Sequence, residues 1–323
     1  MEQQENSLEE TETNLFGETG YSNKKHTVAI IPLQIHTNYA VAQYPECLFS
    51  VRKNITALEK TVVQAMKMGV DSIWLVCKPR IYRLMRRKIP EYVIDDIRTE
   101  ASIISSIKRI PIILVPMRDR YARVQDSVVW SYLYGATVAY KSCASLSQHM
   151  IPDTYLFMTP HTMLSDKEIE KFRPLTMSAK TYIVSHDNKT ALDNELLPFN
   201  LSYDEIKRCK EFIRKDMVSV NAVLNKAHAD YYFKKLTIDY VLKNANLDSK
   251  PIIPVEKYIR TDSWVGFKRY LASEMSSEPV FLDKRTRMYW IKKEVEIPKK
   301  FGYIFKEKEK EYMFDIEDDL TEQ

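Results

Sequence analysis

The sequence predicts an α/β protein with a mostly parallel sheet and helices on both faces. Two observations carry this. Short apolar, β-branched runs recur at 28–33, 72–77, 110–115 and 154–159. Between them the apolar residues repeat at helical spacing. Strands joined through helices are βαβ units, which build a buried parallel sheet.

The first unit organises the rest. Val28-Ala29-Ile30-Ile31-Pro32-Leu33 is the first strand, and a polar loop, Gln34 to Gln43, leads to Pro45-Glu46-Cys47-Leu48-Phe49-Ser50-Val51. A helix follows in which Ile55, Leu58, Val62, Ala65 and Met66 share one face. Asn54 is one candidate N-cap, and Thr56 with Glu59 offers a competing capping box. Gly69 stands where a helix closes in a left-handed residue, and Ser72 to Cys77 is the second strand.

This order resembles the start of the sugar-nucleotide nucleotidyltransferases, the GT-A-like branch of the Rossmann-like folds. That family opens with a strand, a glycine-rich loop ending in Arg, a Pro-Lys-x-Leu-Leu-Pro-Val segment, a helix and a second strand. Pro45 to Val51 is similar to the middle segment, but the loop after Leu33 has no glycine and Glu46 stands where the family has a phosphate-contacting Lys. Tyr134-Gly135-Ala136-Thr137-Val138-Ala139 is similar to the Gly-Thr-x-x-Ala segment of the helix that approaches the nucleotide. Ile259-Arg260-Thr261-Asp262-Ser263-Trp264 to Leu271 looks like the late Asp-x-x-Thr/Trp-x-x-Tyr segment, with Asp262 at the position that supplies a magnesium oxygen. Where the family has Asn-Gly-Asp, whose Asp holds the same ion, this chain has Met158-Thr159-Pro160-His161. The resemblance runs in order over 27–275.

Composition narrows the chemistry. Hydrophobic residues are 45% and charged residues 28% of 323, ordinary for a globular protein, and the net charge is only +4. A nucleic-acid partner therefore ranks low, since no broad basic field exists. There are six glycines and neither a G-x-G-x-x-G nor a P-loop spacing. Any phosphate grip must use helix N-termini and basic side chains. Cys47, Cys77, Cys143 and Cys209 form no C-x-x-C pair. No apolar run approaches the roughly 20 residues of a membrane helix. A reduced, cytoplasmic setting is the expectation.

Further along, Lys78 to Lys88 carries six basic residues in eleven, with Pro79 suited to a first helical turn. It reads either as a solvated helix face or as a phosphate patch. Residues 91–108 read as a helix with Val93, Ile97, Ala101 and Ile104 on one stripe. Arg118, Arg120 and Arg123 follow the third strand, so this basic cluster and that of Arg80 and Arg83 belong at strand carboxyl ends on one side of the sheet. Asp126 or Ser127 caps a long helix with Val129, Leu133, Ala136, Tyr140, Cys143 and Leu146 buried. Gly135 inside it serves either a nucleotide or close helix–sheet packing. Thr181 to Ser185 is a further strand, and 202–215 and 221–244 are helices. Asp262 is either a metal ligand or an N-cap, with Thr261 or Ser263 as other caps.

Four segments follow. Residues 1–26 are an acidic, disordered tail, 27–275 the α/β domain, 276–310 a β-hairpin-like appendage rich in aromatics, and 311–323 a second acidic tail. The resemblance implies transfer of a nucleotidyl group from a nucleoside triphosphate to a sugar phosphate or similar phosphorylated acceptor, with magnesium. In that scheme Arg52 or Lys53 replaces the missing Lys, Gln34 contacts the base or loop, Arg118 and Arg120 bind phosphate, Gly135 packs by the nucleotide and Asp262 holds the metal. The alternative is an inactive protein of the same fold that binds a nucleotide, a glycan or a macromolecule, the last through the C-terminal aromatic element.

Overall fold

The computed structural model describes residues 25–33, 46–52, 55–95, 108–117, 128–186, 197–223, 236–247 and 250–276. The first apolar run forms β1 (Thr27–Pro32), buried along its whole length. β2 (Ser50–Arg52) and β3 (Ile55–Thr56) make a small antiparallel pair. Ile55 therefore lies in a strand rather than on the helix face, because its side chain joins a separate small core with Val51, Met163, Phe267 and Tyr270.

Of the two candidate caps, Thr56 starts helix α1 (Ala57–Lys67). Its Oγ1 accepts from Glu59 N at 3.2 Å, and Glu59 Oε2 accepts from Thr56 N at 2.7 Å. Thr56→Ala should lower unfolding stability by about 1 kcal/mol and Thr56→Ser should restore it, read by urea denaturation. An unchanged midpoint for the alanine variant would show that the box is not made. Gly69 closes the helix at φ +86°.

β4 (Ser72–Cys77) and α2 (Pro79–Lys88) come next, with Pro79 in the first turn. The expected helix over 91–108 is corrected by β5 (Tyr92–Asp95), antiparallel to β6 (Lys108–Pro116). Tyr92-Val93-Ile94 suits a half-buried strand, and the free edge of β6 offers it backbone partners. Val93 is buried, while Arg109 stacks over the Tyr92 ring 5.2 Å from its centre. Residues 96–107 lie outside the described set.

α3 (Val128–Leu146) buries Val129, Leu133, Ala136 and Cys143, but Tyr140 is only half-buried and Leu146 at its end is 73% exposed. β7 (Thr154–Phe157), β8 (Thr162–Leu164), α4 (Asp166–Met177), β9 (Ile183–Ser185) and β10 (Phe199–Ser202) follow. α5 (Tyr203–Val223) runs past the break expected after residue 215. α6 (Ile238–Asn244), β11 (Ile252–Pro254), β12 (Tyr258–Arg260) and α7 (Trp264–Leu271) complete the described chain.

The main sheet has the order β10-β7-β1-β4-β6-β5. β7, β1, β4 and β6 are mutually parallel, and an antiparallel strand closes each edge. The chain steps outward from β1 to β4 through α1 and returns from β6 to β7 through α3. Right-handed crossovers in opposite directions put these two helices on opposite faces. All four parallel strands therefore end on one rim, where open α/β sheets hold ligands.

Candidate functional site

The rim is assembled from strand ends. Leu33 N donates to Val76 O at 2.8 Å, Met117 N to Cys77 O at 2.9 Å, and Met158 N to Ile30 O at 3.2 Å. These bonds hold the exits of β1, β4, β6 and β7 side by side. The chain positions leading to Arg83 and to Arg118 thus leave neighbouring strands on one rim. Arg83, Arg86 and Arg87 are exposed on α2 and, with Tyr82, line an open cleft of about 440 Å³. Gln34, Lys53, Arg118 and Arg120 lie outside the described residues, as does the C-terminal aromatic element, and Arg52 closes β2.

The best-defined polar cluster forms where β8 pairs antiparallel with β12, Arg260 opposite Thr162. This pairing brings the residue before β8 against the residues after β12. Thr261 N donates to His161 O at 2.7 Å, and His161 Nδ1 lies 3.3 Å from Thr261 O. A carbonyl can only accept, so Nδ1 carries the proton when the ring is neutral. Nε2 is then an acceptor, buried and without a hydrogen-bond partner among the described residues. Burial pushes the His161 pKa down to about 4, against smaller upward pulls from the Thr261 carbonyl and Asp262. The ring is neutral at pH 7. Thr159 and Thr162, with hydroxyls 3.2 Å apart, brace the turn that presents it.

Asp262 is buried and its carboxylate accepts from Arg260 Nη2. It is not the N-cap of α7. Ser263 is, accepting from Gly266 N at 3.2 Å. Gly266 permits this seating, since a Cβ there would collide with the Arg260 carbonyl oxygen. α7 is held from its other side by Phe49, stacked on Trp264 with ring centres 5.7 Å apart.

The donor set does not fit magnesium. That ion is held in octahedral geometry by one or two free carboxylates together with waters and substrate phosphates. Here the one carboxylate is engaged by a guanidinium, and the group across from it is a neutral imidazole. Among the described residues no group of three or more His, Cys, Asp or Glu could hold a metal ion.

Gly135 packs against the sheet. A Cβ there would stand 2.5 Å from Val76 Cγ2 and 2.7 Å from Ile30 Cγ2. Sequence reasoning singled out Asp262, met His161 only within the segment that replaces Asn-Gly-Asp, and passed over Arg260. The available signal was its place as the last residue of the Tyr258-Ile259-Arg260 strand, two residues before the acid.

The architecture defines a class: a GT-A-like α/β fold with the carboxyl ends of four parallel strands on one rim. The solved structures it matches agree. UDP-glucose pyrophosphorylase complexed with UDP-glucose matches with TM-score 0.50 and 9% identity, covering 76% of this chain and 97% of that one. The apo form of UDP-glucose pyrophosphorylase gives TM-score 0.50, 9% identity and the same coverage, 76% and 97%. The inositol-1-phosphate CTP transferase of T. maritima matches over 86% of this chain and 100% of its own, at 7% identity and TM-score 0.42. No family model and no curated protein sequence matches the chain. This chain has the sugar-nucleotide nucleotidyltransferase fold, in a divergent form. No described helix is long and apolar enough to cross a membrane.

Proposed function

We propose that the chain binds a nucleoside triphosphate and a phosphorylated acceptor such as a sugar phosphate, and transfers the nucleotidyl group between them. The observation that carries this is the meeting of His161, Arg260 and Asp262, brought together by the single pairing of β8 with β12 just past the end of the parallel strand β7. An acceptor phosphate oxygen attacks the α-phosphorus, the bond to the bridging oxygen breaks, and pyrophosphate leaves with the electron pair. The protein's task is to offset the charge that builds on the leaving group, which fixed cationic donors do well in a dry site. Arg260 is one such donor, and Arg118, Arg120 and Arg52 or Lys53 are proposed as others. Gln34 is proposed to meet the base. Gly135 contributes by letting α3 lie close beneath the rim. The reading places the reaction in a reducing cytoplasm, which suits the four free, buried cysteines.

The test is pyrophosphate release from each common nucleoside triphosphate with a panel of sugar 1-phosphates. UDP-glucose, held by one structural neighbour, recommends UTP with glucose 1-phosphate as the first pair. Asp262→Ala should lower turnover by roughly tenfold or more, since it frees Arg260 from its fixed direction. Its helix cap, Ser263, stays in place, but loss of the buried partner of Arg260 should lower the melting temperature as well, so turnover is compared well below the variant's midpoint. No release above background across the panel would overturn the transfer.

A further inference from the structure

The disagreement between the donor set and a magnesium ion points to what stands there instead. Arg260 is the last residue of β12, fixed opposite Thr162 by the strand pairing and backed by the start of α7 at Gly266. Its partner Asp262 has a side chain 9% exposed, whereas the Arg260 side chain is 29% exposed. The carboxylate is thus nearly buried, while the arginine side chain keeps part of its surface accessible. A guanidinium has five N–H donors in a planar fork. Its hydrogen bond and ion pair to Asp262 Oδ2 use Nη2. The rest of the fork matches two oxygens of a phosphate, a geometry that favours arginine over lysine. A divalent ion on Asp262 would set a second cation beside the guanidinium and compete with it for the carboxylate.

We propose that Arg260, oriented by Asp262, is the fixed cation that receives a phosphate group at this rim, so that anion binding here does not depend on a divalent metal ion. The inference builds on the nucleotide-binding reading above. Its ligand class is a di- or triphosphate, and its consequence is a binding step indifferent to chelators.

Calorimetric titration of UTP and of inorganic pyrophosphate, each in excess EDTA and in excess magnesium, tests it. The dissociation constants should agree within about threefold between the two conditions, since the cation belongs to the chain. Arg260→Met should weaken both ligands by roughly tenfold or more, as loss of a charge-assisted pair does. Arg260→Lys keeps the charge without the fork, should bind in between, and carries the test should the methionine variant fail to fold. Binding that appears only with magnesium and is unchanged in either variant overturns the inference and leaves the nucleotide reading standing. Absence of binding by both ligands in both conditions overturns the two together.

Discussion

Replacing Gly135 by leucine should lower the melting temperature by roughly 6–12 °C, the equivalent of about 3 kcal/mol at ~2–4 °C per kcal/mol for a domain of this size class. The reason lies in what the missing side chain admits. α3 crosses β1 and β4 so closely that even a Cβ would stand 2.5 Å from Val76 Cγ2 and 2.7 Å from Ile30 Cγ2. Both methyls belong to β-branched residues with few χ1 choices, and both residues are buried in the sheet, so neither swings aside. Alanine at 135 already meets both methyls, so about 1 kcal/mol of helix propensity offsets only part of an overpacking cost of about 1–3 kcal/mol, and it should lose up to about 2 kcal/mol. Leucine adds bulk with no further propensity. Lys141→Leu, on an exposed turn of the same helix, is the control and should leave the midpoint unchanged. A Gly135→Leu variant that melts with the parent would mean that α3 does not lie on β1 and β4.

Acidification should destabilise the fold through His161. In the folded chain its pKa is pushed down from 6.5 to about 4, chiefly by burial. The unfolded chain therefore binds the proton more readily, and stability falls as pH drops from about 6.5 toward 4. The group's contribution is whole above pH 6.5. Linkage gives a loss of about 2 kcal/mol by pH 5 and about 3 kcal/mol near pH 4. Urea unfolding across that range measures the slope. His161→Asn keeps a donor for the Thr261 carbonyl but removes the titration, so its slope should be shallower by that amount. Equal slopes for parent and variant would rule out a neutral, buried imidazole.

The alternation of strand and helix was legible because it depends on neighbours in sequence. Val28 to Leu33 and Ser72 to Cys77 are apolar enough to be buried on both faces, and they pair as adjacent parallel strands. Thr56 and Glu59, three residues apart, specify their own cap. Gly69 and Gly135 announced a left-handed residue and a close approach, and the structure has both.

What the sequence left open depended on partners far away along the chain. Val93, Ile97, Ala101 and Ile104 have helical spacing and read as a helix, but the edge of β6 drew Tyr92–Asp95 into a strand. Asp262 was visible as an acid at the start of a helix, but its role turns on Arg260 and on His161, whose ring bonds to a carbonyl 100 residues away. Periodicity reports which face of an element is buried. Only the pairing of β8 with β12 determines which polar groups share that burial, and desolvation makes their mutual hydrogen bonds and charges decisive.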